Sequence, residues 1–148
     1  MKKPIINIIS FFFLAILIAG CSRKKDKFLN KNFHSVTTKY NFLFNGNNLY
    51  AEGLSDLEND VRENFWALLP IEKFKFYQTD DEERETNFTR AEEKATLAIQ
   101  KHSMNVDGKE RNPIMDQAYF LLGKARYYDN RFIPALEAFN YILYKYPT

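Results

Sequence analysis

DQAYFLLGKARYYDNRFIPALEAFNYILYKYPT, residues 116–148, is the stretch whose reading decides the fold. It holds two helical segments and a break. Asn112-Pro113 opens the first segment, because Asn is a good N-cap and Pro suits a first turn. That helix is expected to reach about Tyr128. Asp129-Asn130 breaks it, since Asn tolerates the left-handed conformation that a helix end needs. Pro134 falls in the first turn of the next helix, which is expected to run to about Tyr146, where Pro147 stops it. Gly123 and Ala135 are small where the two helices would cross. Tyr119 and Leu122 would fill the space between helices from one side, and Phe139 from the other.

Tyr119, Leu122 and Gly123, followed by Phe132, Ala135, Phe139 and Pro147, fit without a gap the tetratricopeptide pattern of about 34 residues. Two positions depart: Arg126 stands where an aromatic is usual, and Ile142 where Ala is usual. Upstream, Phe88, Ala91, Ala95 and Ala98 have the spacing of the second helix of such a unit, or of an ordinary Ala-rich helix. One repeat cannot bury its own apolar face, and about three make a stable stack. The last helix carries Leu136, Phe139, Ile142, Leu143 and Tyr146 on more than one side. Its neighbour covers one side; the other, around Ile142, Leu143 and Tyr146, is the expected partner surface. The chain ends one residue after Pro147, which leads to the expectation of a longer protein or of a partner covering that helix.

Further upstream, two more helices are expected. Phe33, Val36, Tyr40 and Leu43 recur at spacings of three and four, which predicts a helix over 31–44. Asn45-Gly46-Asn47-Asn48 reads as a turn. Leu54, Leu57, Val61, Phe65 and Leu68 predict a second helix over 48–68, antiparallel to the first, so that 31–69 forms a helical hairpin. Pro70 ends it. Residues 70–87 read as an acidic linker, through Asp80, Asp81, Glu82, Glu83 and Glu85, without the central Gly and ligand spacing of a calcium loop. A third helix is predicted from Thr89 to His102, opened by a Thr89–Glu92 capping box. Residues 103–112 read as a loop with a turn at Asp107-Gly108. The fold class expected is all-α: a hairpin, then tetratricopeptide-type helix pairs.

The first twenty residues are a targeting segment. Lys2 and Lys3 precede an apolar run over 5–19, too short for a comfortable membrane span. Ile18-Ala19-Gly20-Cys21 resembles the lipobox of bacterial lipoproteins. The resemblance implies a lipid on the Cys21 thiol, cleavage before Cys21, and acylation of the new amine. Roughly two or three acyl chains exceed the one-chain limit for stable anchoring. Cys21 is the only cysteine, so no disulfide can form within the chain. The chain has 21 Lys and Arg against 19 Asp and Glu; two lysines leave with residues 1–20, and the rest balances. Nucleic-acid binding therefore has no electrostatic support. Arg23, Lys24, Lys25 and Lys27 form a basic tether over 21–30 that either touches anionic headgroups or is simply solvated.

The chemistry of catalysis is sparse. His34 and His102 lie in separate elements without zinc-type spacing, and His34 reads as the exposed neighbour of a core Phe33. No Gly-rich phosphate loop and no G-x-S-x-G occur. The expectation is a non-enzyme with no metal and no cofactor beyond the covalent lipid. The lipobox, the basic tether, NFHSVTTKYNFLFNGNNLYAEGLSDLENDVRENFWALLPIEKF over 32–74, and the helices that follow are similar to the start of the gliding-motility and type IX secretion lipoproteins of the SprE/PorW kind. That resemblance implies an outer-membrane scaffold facing the periplasm, with other secretion and motility proteins as partners and no small-molecule substrate. Two other roles fit a repeat lipoprotein: assistance in outer-membrane β-barrel assembly, and surface glycan binding. The last would need exposed aromatics, and most aromatics here fall on predicted core stripes.

Overall fold

The computed structural model describes residues 23–69, 71 and 86–146. The targeting segment, the lipobox, most of the acidic linker and Pro147 lie outside the described residues. The described chain is all-α apart from one tiny hairpin. Its elements are α1 (Phe28–Thr37), a π-helical segment (Thr38–Leu43), α2 (Phe44–Asp60), α3 (Asn87–His102), β1 (Asn105–Val106), β2 (Lys109–Glu110), α4 (Met115–Tyr128) and α5 (Phe132–Lys145). Among the described residues no helix is long and apolar enough to cross a membrane.

The expected hairpin over 31–69 is not formed. α1, the π segment and α2 follow one another without a break, because Thr38 and Leu43 at the joints both keep helical backbone angles. Asn45 donates its side-chain amide to Asn41 O at 2.7 Å, one helical turn back. Gly46 serves packing instead of turning: a Cβ built there would meet Leu121 Cδ2 at 2.7 Å and Lys94 Cβ at 3.2 Å. Gly53 plays the same part against the Phe88 ring. Local turn propensity has given way to tertiary contact, as it does when a small residue is the only one that fits a helix crossing.

The π segment also moves the buried face. The inward residues are Asn30, His34, Thr38 and Leu43, spaced four, four and five. The five is the wide turn, which keeps Thr38 and Leu43 on one side. Thr38 Oγ1 donates to His34 O at 2.7 Å and accepts from Asn112 Nδ2 at 3.1 Å, so a buried side-chain network sits where the regular ladder loosens. Phe33, Val36 and Tyr40, expected in the core, face outward; of that stripe only Leu43 is buried. His34 and Phe33 have exchanged places relative to the expectation.

α2 ends at Asp60, eight residues before the expected stop, with Val61 extended. Asp56, Glu58 and Asp60 crowd its last turns, and no basic residue offsets the negative end of the helix dipole there. Phe65 and Leu68 are consequently exposed outside any helix.

α3 is capped one turn earlier than expected. Thr86 Oγ1 accepts from Thr89 N at 3.1 Å, and Thr89 Oγ1 accepts from Thr86 N at 2.8 Å, a reciprocal box of two threonines. Glu92 is thereby released for other work. Ala91, Ala95 and Ala98 are completely buried, and Phe88 nearly so. α2 packs on α3, α3 on α4, and α4 on α5. Leu43, Met115, Leu121 and Leu122 fill the middle, with Tyr50, Tyr119 and Tyr146 half-buried around them.

Residues 103–112 are more ordered than a loop. Asn105 pairs with Glu110 and Val106 with Lys109. Asp107 and Gly108 both take positive φ, as a type I′ turn demands. Glu110 clasps the base: it accepts from Met104 N at 2.7 Å, Asn112 N at 2.8 Å and Ser103 Oγ at 2.5 Å. Asn112 is fully buried and does more than cap. Its Oδ1 accepts from Ile114 N, while its Nδ2 also donates to His102 O at 3.0 Å.

At the seam of α1 and α3, His34 Nδ1 and His102 Nδ1 stand 2.8 Å apart, so one neutral ring donates to the other. His34 Nε2 is buried with no partner among the described residues. Donation from His34 Nδ1 leaves that nitrogen a bare acceptor, which is cheaper than an orphaned N–H. Burial drives the His102 pKa down to about 4, aided by the charges on His34, Arg23 and Lys101. Burial and Arg23 lower His34 as well.

Two outcomes follow from this packing. Replacing Gly46 by Leu should overpack the crossing with α3 and α4 and cost about 1–3 kcal/mol in urea denaturation; a neutral substitution would restore the turn assignment. The histidines bind protons more readily unfolded than folded, so stability should fall as pH drops from about 6.5 towards 4. Thermal melts of His102→Gln should show a flatter slope in that window than the parent.

Candidate interaction surface

The small residues of the last two helices set their distance. Gly123 lies directly under the Phe139 ring, which a Cβ at that position would strike. Leu122, Ala135 and Ala138 are buried alongside it. Tyr119 packs against Tyr141, the rings tilted by 32° with centroids 4.3 Å apart. Burial raises the Tyr119 hydroxyl far above its ordinary range, with the Tyr141 hydroxyl adding to the effect.

Arg126, the departure from the repeat pattern, ties three helices together. Its Nε donates to Glu92 Oε1 of α3 at 2.7 Å, and its Nη1 donates to Pro134 O of α5 at 3.1 Å. Arg131 pairs with the other Glu92 oxygen and with Asp129 Oδ2, the latter at 2.8 Å. Thr86 Oγ1 closes the chain onto Asp129 Oδ1 at 3.2 Å. Burial alone would raise the Glu92 carboxyl, but hydrogen bonds and charge from Arg131 and Arg126 outweigh it and hold the pKa below its usual value. Sequence spacing could not reveal this network, because its members come from three helices and the break at Asn130. Asn130 does take positive φ, turning the chain from α4 into α5.

α5 presents two faces. Ala135, Ala138, Ile142 and Tyr146 point towards the body, with Tyr146 packed on the core and its hydroxyl buried. Phe132, Leu136, Phe139 and Leu143 form the other stripe at spacings of four, three and four. Of the three residues expected on the partner surface, Ile142 and Tyr146 are half-buried and only Leu143 is open, at 74 % exposure. The patch is therefore displaced by part of a turn. Its exposed members are Leu143, Leu136 and Phe132 of α5 together with Phe120 of α4, whose ring lies 6.0 Å from that of Phe139. Lys124 borders it, 5.0 Å from the Phe120 ring and 4.4 Å from Tyr50 of α2.

Aromatics elsewhere are also more exposed than expected, including Phe33, Tyr40, Phe65 and Trp66. Among the described residues no group of three or more His, Cys, Asp or Glu is placed to hold a metal ion. Cys21 and Pro147 lie outside the described residues. No protein-family model matches this chain, and no curated protein is similar to it.

Glu92→Gln should remove the charge that holds Arg126 and Arg131, costing about 1–3 kcal/mol. The carboxylate's contribution is present above about pH 4.3 and is lost as pH falls through its lowered folded value. Urea titrations at pH 7 and pH 3 should therefore show a large difference between parent and variant at pH 7 and a smaller one at pH 3.

Proposed function

We propose that this protein is a lipid-anchored, non-enzymatic scaffold of the outer membrane, facing the periplasm, that holds proteins of the type IX secretion and gliding machinery. In this reading Cys21 carries the lipid, and residues 88–148 supply tetratricopeptide-type helix pairs. The observation that carries the scaffold reading is the apolar outer face of α4 and α5, with Phe120, Leu136 and Leu143 open beside the Gly123–Phe139 crossing. A repeat pair offers such a face to the next helix in a stack. Each Leu- or Phe-sized side chain covered there contributes about 1.5–3 kcal/mol, so a helix seated on three of them is held firmly. The choice of machinery rests on the resemblance of residues 32–74 to the SprE/PorW kind. The exposed Phe65 and Trp66 favour glycan binding as the second reading.

A strain lacking the gene is the test, complemented with variants. The parent should restore type IX secretion and gliding. Cys21→Ala should accumulate as unprocessed precursor, because lipid is added to the thiol before cleavage, and should not complement. Leu136→Asp with Leu143→Asp should be processed normally and still fail. Mature, anchored protein from Cys21→Ala would remove the lipobox. Intact secretion in the deletion strain, with a defect in barrel assembly or glycan uptake instead, would transfer the role.

A further inference from the structure

The helix formed by α1, the π segment and the start of α2 is inverted relative to an ordinary surface helix. Its inward face is polar, through Asn30, His34 and Thr38. Its outward face is apolar. Leu29, Phe33, Val36, Tyr40 and Phe44 follow one another at spacings of four, three, four and four, and each is between 47 % and 77 % exposed. Phe28, at 80 %, widens the stripe at its start. The buried polar side chains bond within the fold, to Asn112, His102 and backbone carbonyls, which holds the helix in this orientation; of their buried atoms His34 Nε2 alone lacks a partner among the described residues.

Charge falls in two blocks along the rod and the segment that leads into it. Arg23, Lys24, Lys25, Lys27, Lys31 and Lys39 give residues 23–44 six cations. The single acid there, Asp26, is paired with Arg111 at 3.2 Å. Residues 45–60 reverse the sign: Glu52, Asp56, Glu58 and Asp60, with no Lys or Arg. An apolar stripe with Lys39 at its edge and a basic run leading into it is the pattern of a helix that lies in a lipid interface, with acyl chains meeting the apolar side and anionic headgroups meeting the cations. The acidic half would be repelled from the same surface. Lys39 even lies along Tyr40, its ammonium 5.5 Å from the ring, as a side chain does when stem and head serve different media.

We propose that the outer face of α1 and the π segment, from Phe28 to Phe44, docks on an anionic lipid surface. The rod lies with its basic half on the headgroups and its acidic half tilted away. Phe28 begins only seven residues after Cys21, so an anchor at that cysteine delivers the stripe to the bilayer. The proposal goes beyond the scaffold reading and holds whichever machinery the protein serves. It requires only that the chain meets a bilayer. Failure of the anchor reading would show as mature, anchored protein from Cys21→Ala, a readout separate from the one below.

Tryptophan fluorescence of the full chain, purified with its membrane attachment and reconstituted in vesicles, is the test. Tyr40→Trp in a Trp66→Phe background reports on the stripe, nineteen residues beyond Cys21. Glu52→Trp in the same background, on the acidic half, is the control. Circular dichroism establishes that both variants keep the parent's helix content. In vesicles containing one-third phosphatidylglycerol with brominated tails, the tryptophan at 40 should be blue-shifted and quenched at least twofold more than the control. Neutral phosphatidylcholine, or Gln in place of Lys25, Lys27, Lys31 and Lys39, should abolish that difference. Equal quenching at both positions would overturn the proposal, as would quenching indifferent to headgroup charge. A blue shift without lipid, accompanied by the sedimentation mass of two chains, would overturn it in favour of a second copy on the stripe.

Discussion

Close approach of helix backbones is the constraint on which the rest of this structure depends. Ala91, Ala95 and Ala98 on α3 are completely buried, Gly46 on α2 approaches the Ala91 carbonyl and Lys94 Cβ, Gly53 receives the Phe88 ring, and Gly123 lets Phe139 of α5 settle onto α4. Alanine buries little area, so these seams are stabilised mainly by dense atomic contact over their length. One consequence is the distribution of large side chains. Where the seams admit only small residues, phenylalanine and tyrosine are displaced to the edges and outer faces. The apolar stripe on α5 is one result; that on α1 comes instead from the polar inward face of Asn30, His34 and Thr38.

Seams of small residues are smooth, and smoothness leaves register poorly defined. Buried polar groups supply what shape does not. Asn112 joins the π segment, the end of α3 and the start of α4 through three hydrogen bonds of fixed direction. Glu92, between Arg126 and Arg131, holds α3, α4 and the entrance to α5 at the opposite end of the same helices. The two clusters pin the stack at both ends, while the alanines between them only permit contact. A buried network of this kind specifies one arrangement because every alternative leaves members unsatisfied.

Helix content and the last two helices were legible in the sequence, since caps, breakers and periodicity act locally. Asp129-Asn130 and the Asp107-Gly108 turn behave as their backbone preferences dictate. The first rod was misread at one point, Asn45 to Asn48, where a turn-prone composition is held helical by contacts of Gly46 with α3 and α4. Periodicity then failed in a second way. Phe33, Val36 and Tyr40 do lie on one face, but the burial of His34 and Thr38 decides which face is inside, and hydrophobicity alone selects the wrong one. The α5 surface was off by part of a turn for a related reason: Ile142 and Tyr146 share the side of Ala135 and Ala138. The Glu92 network had no linear signal at all.

The wide turn between Thr38 and Leu43 has a consequence for how this chain tolerates insertion and deletion. An α-helix advances about 100° per residue. The π segment accommodates one residue more than a regular helix would over the same turns, and so keeps the buried faces of α1 and α2 in phase despite the extra residue. Deleting a single residue there would let the rod close into uninterrupted α-helix, a locally easier structure. The buried positions would then stand four apart, about 400° of α-helix, so everything upstream would keep its face against α3. Asn30 and His34 would stay in the seam, and the Leu29–Val36 side would stay outside it. The length change this helix absorbs best is therefore the loss of one residue within the wide turn, although its composition alone suggests an unremarkable surface segment.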